Sequence, residues 1–132
     1  MKKRWIIITT IPLVLLLYFV LTFIPHKVVK IEAKDVSKIV VFDGNTGYET
    51  EITDRDTVSH IISNLNEITF QKGKPSFGYM GYSFDTSIFN KEGGLVKEFI
   101  INSNDTIRYK GFFYTDNTKS IDYDYIEKLV KR

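Results

Sequence analysis

The stretch Ser37-Lys-Ile-Val-Val-Phe-Asp-Gly-Asn-Thr-Gly-Tyr-Glu-Thr-Glu-Ile-Thr-Asp-Arg-Asp-Thr-Val-Ser-His-Ile-Ile-Ser-Asn-Leu-Asn-Glu-Ile68 changes its hydrophobic period halfway along. Ser37 to Phe42 is a β-branched and aromatic run, and Tyr48 to Thr53 alternates Tyr48, Thr50 and Ile52 with acidic residues, so both read as strands. Asp43-Gly-Asn-Thr-Gly47 joins them into a β-hairpin, because Gly44 and Gly47 adopt positive φ without steric cost and Asn45 tolerates it. From Val58 the apolar positions recur at three- and four-residue intervals: Val58, Ile61, Ile62, Leu65, Ile68. That spacing predicts a helix with one buried face, its N-cap supplied by Thr53 or Asp54 and its dipole met by Asp54 and Asp56.

Downstream of the helix, Thr69 to Gly81 is rich in glycine and aromatics and reads as a long loop. Three strands follow, Tyr82 to Asn90, Leu95 to Asn102 and Thr106 to Thr115. Lys91-Glu-Gly-Gly94 and Ser103-Asn-Asp105 are short enough to make these an antiparallel meander. A second helix closes the chain, capped by Ser120 or Asp122, with Tyr125, Ile126, Leu129 and Val130 as its apolar stripe and Lys128, Lys131 and Arg132 in its last turn. The predicted fold class is α+β: a two-layer ββαβββα domain over residues 35–132 with a mostly antiparallel sheet.

Upstream lies Trp5-Ile-Ile-Ile-Thr-Thr-Ile-Pro-Leu-Val-Leu-Leu-Leu-Tyr-Phe-Val-Leu-Thr-Phe-Ile24, 20 residues without a charge. At about 1.5 Å per residue, a helix of that length crosses a hydrocarbon core of about 30 Å, and Pro12 predicts a kink. The run exceeds the roughly 7–15 residues of a signal-peptide core, and no small-x-small site follows at Pro25-His-Lys-Val-Val29. It therefore reads as a retained single-pass anchor whose partner is the lipid bilayer. Lys2, Lys3 and Arg4 form an N-terminal tail on the cytoplasmic side, which sends the domain outside as a signal-anchor does. Residues 25–34 read as a polar stem, its lysines diluted by Glu32 and the neighbouring Asp35 into a solvated spacer rather than a lipid-binding cluster.

Composition narrows the function further. Of the 18 basic residues three precede the anchor, leaving 15 against 16 acidic ones in the domain, so there is no electrostatic footprint for nucleic acid. Without cysteine, disulfides, thiolate-bound metals, thiol nucleophiles and an acylated lipoprotein anchor are excluded. Asp43, Asn45, Gly47, Glu49, Glu51 and Asp54 follow the spacing of a calcium loop, but Tyr48 stands where the sharp turn needs glycine and Asp54 where a bidentate glutamate belongs, so a hairpin turn explains them better. His60 has no nucleophile partner legible in the sequence and His26 lies in the stem. Asp122, Asp124 and Glu127 belong to a first helical turn, where carboxylates answer the helix dipole. Asn104-Asp-Thr106 fits a glycosylation acceptor but reads as a turn. No catalytic set, metal site or cofactor motif emerges. The candidate ligand- or partner-binding residues are Phe70, Phe77, Tyr79, Met80 and Tyr82, aromatic and thioether side chains set among glycines; the competing role for these rings is to cover the open side of the sheet.

Asp35-Val-Ser-Lys-Ile-Val-Val-Phe-Asp-Gly-Asn-Thr-Gly47, Gly78-Tyr-Met-Gly-Tyr-Ser-Phe84 and Ile121-Asp-Tyr-Asp-Tyr-Ile-Glu-Lys-Leu129 together give the chain a likeness. It resembles small membrane-anchored extracytoplasmic proteins of low-GC Gram-positive bacteria, a resemblance that implies a location and no activity. The expected function is a membrane-anchored extracytoplasmic binding module, not an enzyme, meeting an envelope protein or ligand. An envelope-acting enzyme using loop carboxylates, or an immunity or inhibitor protein, stands as the alternative.

Overall fold

The structure is a computed structural model that describes residues 2–79, 83–117 and 119–130. It is α+β, with helices α1 (Lys2–Leu21), α2 (Arg55–Asn66) and α3 (Tyr123–Val130). Seven strands form one open antiparallel sheet: β1 (Val36–Asp43), β2 (Glu49–Ile52), β3 (Phe70–Pro75), β4 (Phe84–Asn90), β5 (Leu95–Ile101), β6 (Thr106–Tyr109) and β7 (Phe112–Asp116). Their spatial order is β2-β1-β4-β5-β6-β7-β3.

The hairpin and first helix form where the residue pattern places them. Asp43 and Tyr48 close the turn backbone to backbone (2.8 Å), the Asp43 carboxylate accepts from Asn45 N (2.8 Å), and Gly47 takes φ +79°. Asp54 caps α2 by accepting from Thr57 N (3.0 Å) and from the Thr57 hydroxyl (2.7 Å). Val58, Ile61, Ile62 and Leu65 are the buried face of that helix. The register aligns Ile39 with Ile52 and Ile88, and Ile101 with Phe84 and Ile107, so one face of the sheet presents a continuous apolar surface. The buried residues of α2 and α3 join that surface in a single core, where the Tyr123 ring meets Phe84 at 5.2 Å.

The expected five-strand order needs two corrections. Phe70 to Pro75 is not loop but strand β3, paired with β7 through Gln71↔Thr115 and Lys72↔Tyr114. Phe-Gln-Lys-Gly-Lys-Pro has a single apolar residue and no alternation, and at one end of the sheet order it carries a proline that a central strand would refuse. The predicted strand Thr106 to Thr115 is two strands, because Lys110 (φ +49°) and Gly111 (φ +83°) both enter the left-handed region and make the two-residue hairpin turn between β6 and β7.

The N-terminal segment also differs in detail. The helix covers Lys2–Leu21 rather than extending to Ile24, and Thr22 to Ile24 form a turn bonded back onto the last helical carbonyls. It is the one helix among the described residues long and apolar enough to cross a membrane. Residues 25–34 are not a free spacer: Val28 and Val29 are buried in the core, and the Asn66 side chain bonds both the amide and the carbonyl of Ile31. The alternation of Lys with Val or Ile that suggests a polar stem instead gives the chain one apolar side, which the domain takes up.

Candidate functional site

The geometry begins where α1 ends. His26 pairs with Phe70 as a single antiparallel bridge, N to O at 3.0 Å and 2.8 Å, so the chain leaving α1 runs on along the outer side of β3. Gln71 reaches back to the Phe23 carbonyl, and Lys72 Nζ donates to the Thr22 hydroxyl at 3.1 Å. The Lys72 ammonium also lies 4.9 Å from the Phe19 ring centre, 5.1 Å from Phe23 and 3.9 Å from Phe112. A cation among three aromatic faces is held by their quadrupoles, so Lys72 ties the last turn of α1 to the sheet.

Between that last turn and the inward face of β5, β6 and β7 an open pocket of about 820 Å³ remains. Tyr18, Leu21, Thr22 and Ile24 form one wall, Tyr109, Phe112 and Tyr114 another, and Lys27, Lys72, Lys97 and Lys110 bring four ammonium groups. No carboxylate lines it among the described residues. Lys97 Nζ donates to the Tyr109 hydroxyl (3.1 Å) and stands 4.9 Å from the centre of its ring, with Lys110 Nζ 5.2 Å from the same ring. Burial alone would raise the Tyr109 phenol, but the hydrogen bonds and charges of Lys97 and Lys110 outweigh it and hold it below its ordinary value. The Tyr114 phenol is pushed up, by burial first and then by the neighbouring Tyr109. His26 packs edge-on against Tyr114 (5.8 Å) and donates from Nδ1 to the Ile24 carbonyl (2.9 Å), which closes the floor.

Sequence reasoning missed this pocket, although one signal of it was present. Lys97 lies in the inward phase of Leu95-Val-Lys-Glu-Phe-Ile-Ile101, opposite Ile88, where the alternation calls for an apolar side chain. Lys72 likewise shares the phase of fully buried Phe70. A lysine in the apolar phase is a departure that a wet, polar pocket explains.

The five residues proposed from sequence fall in different places. Phe70 is 0% exposed, a core side chain on β3. Phe77 is 81% exposed at the loop after β3, beside Gly78 at φ +84°. Tyr79 is 51% exposed, its ring edge-on to Phe113 (5.2 Å), its hydroxyl accepting from Lys74 (2.9 Å) and its carbonyl from Arg108 (3.2 Å). Met80 and Tyr82 lie outside the described residues. Tyr79 thus covers part of the outer face of the sheet, whereas Phe77 projects from it.

Two polar pairs complete the inventory. His60 Nε2 bonds Asp122 Oδ2 at 2.7 Å while its ring stacks on Tyr125 at 3.8 Å, which links α2 to α3 by a contact that only the fold brings together. On the outer face of the sheet, Asp85 lies beside Glu98 and its carboxyl is raised, by burial first and then by the charge and hydrogen bond of Glu98. Compared with known protein families, curated proteins and solved structures, the chain matches none.

Proposed function

We propose that the protein is a single-pass, membrane-anchored module, N-terminus inside and domain outside, whose work is binding. The observation that carries this reading is that the sheet docks directly on the last turn of a membrane-length helix and leaves an open, lysine-lined pocket at that junction. The uncharged helical residues Trp5 to Leu21 span about 25 Å, with Trp5 and Tyr18 about 20 Å apart toward opposite ends of the span, the side of each interface where amphipathic rings collect. The three basic residues that precede Trp5 favour the cytoplasmic side for that end. Beyond the pocket, exposed Phe77 offers a rigid aromatic anchor to a protein partner. Protease added to intact protoplasts tests the placement: degradation of the domain is expected, and protection that ends only on lysis would reverse the topology.

A further inference from the structure

The domain carries 15 basic against 16 acidic residues from residue 26 onward, yet four of the basic ones converge on a single pocket that lacks a carboxylate among the described residues. Like charges gathered without a counter-charge repel, and a bound anion relieves that repulsion. The donor set suits a tetrahedral oxyanion. Lys97 spends one N–H on Tyr109 and keeps two, Lys110 stands 5.2 Å from the centre of the same ring, and the Tyr109 hydroxyl, accepting from Lys97, still has its own proton to donate. One wall is largely apolar: Tyr18, Leu21 and Ile24 continue the surface of α1 into the pocket, beside Phe112. A small soluble anion has no use for that wall, whereas an amphiphile needs both halves. If α1 spans the hydrocarbon core, Leu21 to Ile24 lie at headgroup level, which is where a phosphodiester is found.

Resting on the reading of α1 as a membrane anchor, we propose that this pocket holds the phosphate of an anionic phospholipid. Lys97, Lys110 and the Tyr109 hydroxyl meet its oxygens, and Tyr18 and Leu21 lie against its glycerol and first methylenes. Lys72 has a different part, holding the pocket wall to α1. The protein therefore selects anionic over zwitterionic lipid beside its own helix.

The test uses the full chain in nanodiscs of mixed phosphatidylcholine and phosphatidylglycerol, with the lipids that stay bound counted by native mass spectrometry. Phosphatidylglycerol should be retained about thirtyfold over its share of the mixture, as two lysines near a headgroup, at about 1 kcal/mol each, imply. Lys97→Gln with Lys110→Gln should bring retention down to that share. Lys34→Gln with Lys38→Gln, which removes as much charge from lysines paired with Glu32 and Glu51, should leave it intact. Should the first pair fail to fold, Tyr109→Phe keeps the ring, removes the hydroxyl and should still lower the preference. Retention in proportion to the mixture, or equal losses from both lysine pairs, would overturn the proposal. So would displacement of the lipid by inorganic phosphate that also binds the lipid-free chain, since the ligand would then be the free ion. Alkaline extraction separates the two levels: a chain released by alkali refutes the anchor and this inference with it, whereas a chain that stays but shows no preference refutes only the lipid site.

Discussion

At the scale of single residues, Phe77 and Asp85 make opposite predictions. Phe77 is almost wholly exposed, so Phe77→Ala should change stability by no more than about 0.5 kcal/mol, whereas truncating a core phenylalanine costs about 3–5 kcal/mol. Thermal melts of the two kinds of variant decide it, and an early melt for Phe77→Ala would make the ring packing rather than a contact surface. Asp85 has a carboxyl raised in the fold by burial and then by Glu98, so its favourable contribution is complete only below the ordinary carboxylate value of about 3.9 and is lost as pH rises through the raised one. Asp85→Asn should therefore melt above the parent at neutral pH, with the gap closing as the pH falls toward about 4. A gap that widens in acid would mean that the fold holds the Asp85 carboxyl down rather than raising it. Phe77 reads as a contact residue in the sequence, but the Asp85 effect is not legible there, because Asp85 and Glu98 meet only through the pairing of β4 with β5.

At the scale of elements, local pattern decides what the sequence reveals. The helix α2 is legible because its apolar spacing, its Asp54 cap and its amphipathic face agree with one another. β3 is hidden because its register comes from pairing with β7 and His26, not from its own alternation. The pocket is hidden for a related reason: its lysines come from the exit of α1, β3, β5 and the β6–β7 turn, four segments whose adjacency is set by the strand order. The exit segment has a measurable consequence. Val28 and Val29 are buried, and full burial of such side chains is worth roughly 1.5–3 kcal/mol each. A chain beginning at residue 31 should therefore be markedly less stable to urea than one beginning at residue 25, which keeps both valines and the His26–Phe70 bridge. Equal midpoints would show that the segment merely rests on the domain.

At the scale of the whole molecule, the α1 junction links fold to function. Lys72 among Phe19, Phe23 and Phe112, Gln71 on Phe23 and His26 on Phe70 fix the domain to the helix end, so helix and domain share a pocket that exists only while α1 stays attached. Removal of the N-terminal segment would take away Tyr18, Leu21, Thr22 and Ile24, one entire wall. The measurement that bears most directly on this is the intact mass of the native protein recovered from alkali-washed membranes. The native chain is expected to retain Trp5 to Ile24; a mature chain beginning near residues 25–35 would contradict that.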